Sequence, residues 1–148
     1  MERVNAHATA LVVGETGLLI AGDSGAGKSL LAAELIARAR GRGRFAALVA
    51  DDRVWLSVHG GRLVAEAPAA IEGLIELRGY GPAAARFERQ VVIDRQVRLV
   101  EPAAAPRFRE IERESVAGIG LPTLRLTART TLASAAAVLA WLEAPATA

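Results

Sequence analysis

Apolar and polar positions alternate in short blocks along this chain. Residues 9–13 and 18–21 are two apolar runs, and Gly14-Glu15-Thr16-Gly17 between them supplies turn chemistry. The pattern predicts a β-hairpin whose second strand, Leu18-Leu19-Ile20-Ala21, runs straight into a glycine-rich loop. Residues 28–39 change to helical spacing: Leu31, Glu34, Leu35 and Arg38 recur at the period of a helix, among the strong helix formers Ala32, Ala33 and Ala37. Gly41-Arg42-Gly43 ends that helix. Residues 45–50 are an apolar run that stops at Asp51-Asp52, which predicts a buried strand with carboxylates at its C-terminal end.

Further on, residues 54–58 predict a strand, His59-Gly60-Gly61-Arg62 a hairpin turn, and Leu63-Val64-Ala65 the returning strand. Pro68 begins a loop, and residues 69–77 are apolar without a period that separates helix from strand. Arg78-Gly79-Tyr80-Gly81-Pro82 reads as a second glycine-rich loop, residues 91–100 as one strand and residues 102–106 as a loop. Residues 124–127 predict a strand and residues 131–142 a closing helix, after which the 144–148 tail is expected to fray. Strands and helices alternating in this way predict one α/β domain over residues 1–148, with a mixed sheet and flanking helices.

Composition narrows the chemistry. The formal net charge is +2, and the pI of 9.9 reflects arginines whose charge is never lost. Those arginines are spread without a run of like charge, and aromatics make up 4% of residues. Neither a basic patch nor a base-stacking platform is present, so no nucleic-acid partner is expected. The chain has no Cys, which excludes disulfides, thiolate zinc sites and cysteine nucleophiles. The N-terminus lacks a signal-peptide pattern, and no apolar run is long enough to span a membrane, so a cytoplasmic location is expected.

The candidate chemistry begins at Gly22-Asp23-Ser24-Gly25-Ala26-Gly27-Lys28-Ser29, which meets the pattern G-x-x-x-x-G-K-[ST] in full between a strand and a helix. Glycines allow the backbone to approach a phosphate, successive N–H groups form an anion-binding nest, and the helix adds its positive end. Lys28 places a point charge on the β- and γ-phosphates of ATP, and the Ser29 hydroxyl is the expected Mg²⁺ ligand. Lys28 is the only lysine in the chain; every other basic side chain is Arg. Asp51 and Asp52 end the next apolar strand, where a nucleotide-hydrolysing or kinase fold keeps an acid for Mg²⁺. Extended, they would face opposite ways, one serving metal and the other a proton. Read from residues alone, they also suit a solvated strand end. Glu76 before Arg78-Gly79 suits a turn with a salt bridge, and His7 and His59 suit surface positions.

Together these segments resemble the catalytic domain of the HPr kinase/phosphorylase family. The resemblance is carried by the 22–29 loop, Ala33-Glu34-Leu35-Ile36, Leu48-Val49-Ala50-Asp51-Asp52-Arg53-Val54 and Ile75-Glu76-Leu77-Arg78-Gly79-Tyr80-Gly81. It covers most of residues 7–100 and implies a P-loop kinase core related to phosphoenolpyruvate carboxykinase. The implied activity is ATP- and Mg²⁺-dependent phosphorylation of a serine on HPr-like phosphocarrier protein, with inorganic phosphate driving the reverse reaction in many members. Carried over, Lys28 binds phosphate, Asp52 is the general base, Ser29, Glu76 and Asp51 serve the metal, and His7 matches an active-site histidine ahead of the loop. Arg78, Gly79 and Gly81 belong to a signature loop, and a later catalytic arginine is matched best by Arg107, with Arg109 and Arg113 as rivals. The phosphorolysis segment is represented by Leu126-Thr127-Ala128-Arg129, without its usual Gly-Arg ending. The family's usual N-terminal domain is not represented, as in short alphaproteobacterial forms, and hexamers are common among its members. A nucleotide-sensing regulatory module and a small-molecule or carboxykinase-like enzyme are the alternative readings.

Overall fold

A computed structural model describes residues 2–144; the tail from residue 145 onward lies outside them. The elements are β1 (Val4–Ala6), β2 (Ala8–Val13), β3 (Thr16–Ala21), α1 (Lys28–Gly41), β4 (Ala46–Ala50), β5 (Val54–His59) and β6 (Arg62–Glu66). They continue with β7 (Leu74–Leu77), β8 (Gly81–Ala84), β9 (Gln90–Ile93), β10 (Arg95–Val100), β11 (Ile111–Val116), β12 (Ile119–Thr127) and α2 (Thr131–Glu143). Short 3₁₀ turns at Ala69–Ile71 and Pro102–Ala104 fill two of the loops.

The main sheet is six-stranded and mixed, in the order β11-β12-β10-β3-β2-β4. Strands β3, β10 and β12 run parallel, and β4 shares their direction because both it and β3 are antiparallel to β2. Four C-terminal strand ends therefore meet on one edge of the sheet. This is the edge at which open α/β sheets receive ligands. The start of β2 arrives at the same edge, between the ends of β3 and β4.

Strand alternation sends side chains to two cores. Leu11, Val13, Leu18, Ile20, Leu48, Val97 and Leu99 pack under α1 and α2 with Leu31, Leu35, Val138 and Leu139. Ala10, Leu19 and Val49 face the other way and meet Val54, Leu56, Leu63, Ala65 and Ile93. That second layer is a four-stranded antiparallel sheet, β1-β5-β6-β9. Both helices thus share one face, and a second sheet covers part of the other. Sequence alternation marked β5 and β6 as strands but gave no sign that they form a separate layer.

Several boundaries differ from expectation for identifiable reasons. The run 91–100 is broken at Asp94, and its halves join different sheets. Asp94 makes the bend by bonding Gly17 twice, accepting from the Gly17 N–H at 2.9 Å and donating its own N–H to Gly17 O at 2.8 Å. A Cβ on Gly17 would lie 1.8 Å from Val92 O, so the two sheets cross here at a distance only glycine allows. The second glycine loop is the tip of a small β7–β8 hairpin, and the ambiguous run 69–77 ends as its first strand. Strand β11, rich in charge, and the first half of β12, interrupted by Gly120 and Pro122, were not expected at all. On the opposite edge, segment 86–88 bonds both backbone groups of Leu48 and covers β4.

Candidate functional site

Helix α1 begins without any of the usual N-terminal devices. Its N-cap is Gly27 at φ 97, no side chain caps it, and its first turn holds no acid. The first-turn N–H groups of a helix have no intrahelical acceptor, so they remain available to an anion together with the positive end of the helix dipole. The last turn carries Arg38 and Arg40, matched to the opposite pole. Leu31 and Leu35, fully buried under the helix, fix it against the sheet, each by about 1.5–3 kcal/mol of burial.

The 22–29 loop closes around its own lysine. Lys28 is only 5% exposed, and its Nζ donates to Gly22 O at 2.9 Å and Asp23 O at 3.1 Å. The Ala26 N–H bonds Asp23 O at 3.0 Å, tightening the same turn. Asp52 Oδ1 stands 3.8 Å from the ammonium.

The two adjacent carboxylates have opposite environments. Asp51 is buried and accepts three hydrogen bonds: from Ser29 Oγ at 2.6 Å, Thr9 Oγ1 at 3.0 Å and the Glu76 N–H at 2.8 Å. It therefore ties α1, β2 and β7 to the end of β4. Asp52 is half-exposed and accepts from His7 Nε2 at 2.6 Å. An ionised carboxylate can only accept, so the imidazole carries its proton on Nε2. Strand alternation is not what separates the pair. The Arg53 N–H bonds Asp51 O at 2.8 Å across a three-residue turn, with Asp52 at its apex at φ 67. Such a conformation costs a non-glycine residue on the order of 1–3 kcal/mol and is held by its surroundings. Here the Asp52 N–H is held by Thr9 Oγ1 at 3.1 Å.

Two hollows open onto Asp52 and its partner. One, about 410 Å³, is lined by Gly25, Gly27, Lys28, Ser29, Asp52, Glu76, Arg78 and Gly79. The other, about 620 Å³, has His7 on its wall beside Gly22, Asp23 and Ser24 and reaches Arg98 and Ser115. The His7–Asp52 hydrogen bond spans the boundary between them.

Most of the residues singled out from sequence converge here, and Gly81 begins the strand that follows the Arg78-Gly79 tip. Arg107 does not converge. It lines a separate hollow with Phe108, Arg109, Leu126, Ala137 and Trp141, under α2, while Arg113 is spent on Gly120 O at 2.8 Å. The arginine on the cleft wall is Arg78 instead. His59 bonds Ser57 at the β5–β6 turn. Sequence reasoning missed Thr9, whose hydroxyl donates to the Asp51 carboxylate and accepts from the Asp52 backbone N–H. Its signal was there: it is the one polar residue in β2, whose six residues are all buried.

No group of three His, Cys, Asp or Glu side chains could cage a metal ion among the described residues. Ser29 and Glu76 on the cleft wall, with Asp51 behind, suit an ion that arrives already bound to phosphate oxygens. No helix among the described residues is long and apolar enough to cross a membrane.

Comparison with known proteins agrees with this geometry. A curated relative from Mycoplasmopsis pulmonis, HPr kinase/phosphorylase, is 39% identical over 80 residues, covering 54% of this chain and 24% of the relative. Another from Aromatoleum aromaticum, of the same name, is 34% identical over 139 residues, covering 84% of this chain and 41% of the relative. The chain thus spans well under half the length of these curated relatives. The solved Hpr(Ser) kinase/phosphatase from Coxiella burnetii superposes with a TM-score of 0.76 at 26% identity, covering 94% of this chain and 96% of that one. The family model of the HPr Serine kinase C-terminal domain matches residues 1–101, and the chain belongs to that family.

Proposed function

We propose that this chain is an ATP- and Mg²⁺-dependent protein-serine kinase acting in the cytoplasm on an HPr-like phosphocarrier, with inorganic phosphate supporting the reverse reaction. On this reading the core is a P-loop kinase related to phosphoenolpyruvate carboxykinase, working as a homo-oligomer, a hexamer by family resemblance. The observation that carries it is one cleft joining an encircled ammonium, an uncapped helix N-terminus and a strained, half-exposed carboxylate. Each has a separate job in phosphoryl transfer, which is mostly positioning and electrostatics.

The nucleotide's phosphates fit the first hollow, against Gly25, Gly27, Lys28 and Ser29. Mg²⁺ bound with them would be held by Ser29 and Glu76, with Asp51 orienting the serine hydroxyl, and supplies neutralisation of phosphate charge. Lys28 and Arg78 stabilise negative charge on the transferring group. The acceptor serine approaches Asp52 from the second hollow. His7 and Lys28 both engage Asp52 Oδ1, which leaves Oδ2 for the serine hydroxyl. Asp52 takes the hydroxyl proton, the serine oxygen bonds to the γ-phosphorus, and the bond to the β-phosphate oxygen breaks to release ADP.

The test is phosphate transfer from labelled ATP to a purified HPr-like carrier, followed by mass spectrometry of the carrier. Wild type is expected to produce phosphoserine. Asp52→Asn is expected to slow transfer by about 10²–10⁴-fold while nucleotide affinity is kept. Absence of transfer by wild type beside a working control kinase would overturn the assignment.

A further inference from the structure

Strand β12 ends against the glycine-rich loop. Arg129, between β12 and α2, has φ 60, a left-handed conformation uncommon for a residue with a side chain. Its N–H is given to Ala26 O at 2.9 Å. The described peptide bonds are trans, and in a trans peptide the C=O of one residue and the N–H of the next point in opposite directions. Holding Ala26 O toward Arg129 therefore turns the Gly27 N–H away from the junction. Gly27 lines the cleft beside Lys28 and Ser29.

The junction that does this is itself anchored to the end of β10. The Ala128 N–H bonds Val100 O at 2.7 Å, and Arg129 Nη2 donates to Glu101 Oε1 at 2.7 Å. Thr130 Oγ1 closes the turn onto Thr127 O at 2.8 Å. A Cβ on Gly27 would lie 3.7 Å from Arg129 N, so the loop and the junction are already in close register. The guanidinium, taken up by Glu101, is not among the side chains lining the phosphate cleft.

We propose that Arg129 is a positioning residue for nucleotide binding, acting through its backbone. Its left-handed turn presents the N–H that sets the Ala26–Gly27 peptide, so that the Gly27 amide is directed at a phosphate of the nucleotide. The Glu101 ion pair steadies the turn. This inference rests on the nucleotide-binding reading above.

The two ideas separate in one experiment: calorimetric titration of the full chain with MgATP at 20 °C, on a graded series at position 129. Gly and Asn adopt left-handed φ readily, Ala less so, and β-branched Val least. Arg129→Gly and Arg129→Asn are expected to bind within about threefold of wild type, although both lose the charge. Arg129→Val is expected to bind on the order of tenfold more weakly, with Arg129→Ala in between. Should Val fail to fold, the ranking of Gly, Asn and Ala carries the same information. A second readout is the Gly27 amide, whose NMR shift on adding MgATP is expected in the Gly variant and reduced in Ala or Val. Equal weakening of every variant would show that the charge, not the turn, matters and would overturn the inference. So would affinities that stay flat across the series while wild type binds. Wild type that fails to bind MgATP would instead overturn the nucleotide reading itself.

Discussion

Residues up to Val100 and residues beyond it use charge in different ways. In the first region His7, Lys28, Asp51, Asp52, Glu76 and Arg78 come from four separate segments and meet around one cleft and its rim. In the second, Glu112 and Glu114 on β11 are taken up by Arg125 on β12 and by Arg98 on neighbouring β10. A reactive site needs charged groups held in place by their neighbours yet still open to a reactant. An exposed sheet face needs only that its charges neutralise one another. The difference teaches where to look for chemistry: not where charge is dense, but where hydrogen bonds from distant segments immobilise a half-exposed group. The 128–130 junction is the point at which the second region contacts the loop of the first.

The comparison breaks most sharply at the arginines. Arg78 lines the cleft, whereas Arg107 lines the hollow under α2. Arg78→Ala is expected to lower the transfer rate by about 10²-fold, the usual effect of removing one donor to a transition-state charge. Arg107→Ala is expected to change it by less than about twofold, as for a surface side chain. Single-turnover phosphotransfer on both variants measures this. The opposite ranking would mean that the later region supplies a catalytic group.

Much of this contrast was legible in the sequence, and the part that was not has a physical cause. The strand–loop–helix at 16–41 and the carboxylates after β4 follow from local pattern, because turn glycines and apolar periodicity act over a few residues. The pairing of β5, β6 and β9 into a second layer depends on contacts between residues far apart in the chain, which no local period encodes. Asp52 was legible as a candidate, but its orientation was not, because a positive φ at an aspartate leaves no mark in composition. Arg107 was chosen by similarity to a motif rather than by surroundings, and the fold puts it elsewhere.

Glycines sharpen the same comparison through stability. A Cβ at Gly17 would lie 1.8 Å from Val92 O, backbone that cannot move without parting the two sheets. At Gly120, on β12, the nearest atoms are the flexible end of Arg113 at 3.7 Å and 3.9 Å. Gly17→Ala is expected to destabilise by about 3 kcal/mol and Gly120→Ala by less than about 0.5 kcal/mol, read from urea unfolding. Equal effects would mean that the Asp94 crossing is not a fixed point of the fold.

The smallest effect belongs to the ion pair beside the junction at which the regions meet. The hydrogen bond from Arg129 holds the Glu101 carboxyl below its ordinary value of 4.5. A carboxyl whose pKa is depressed by folding adds stability above its unfolded pKa, and that contribution fades as pH falls through the folded one. Both side chains are exposed, so salt screens the pair and its worth to the fold is slight. Wild type and Glu101→Gln are therefore expected to melt slightly apart at pH 7. They should converge once pH has fallen through the lowered Glu101 pKa, or in about 1 M salt. Because the pair steadies the turn that orients the Ala26 peptide, MgATP affinity should show the same acid limb in wild type and lack it in Glu101→Gln. A limb in melting without one in affinity would leave the pair as a surface contact and remove it from the chain of support behind the phosphate loop.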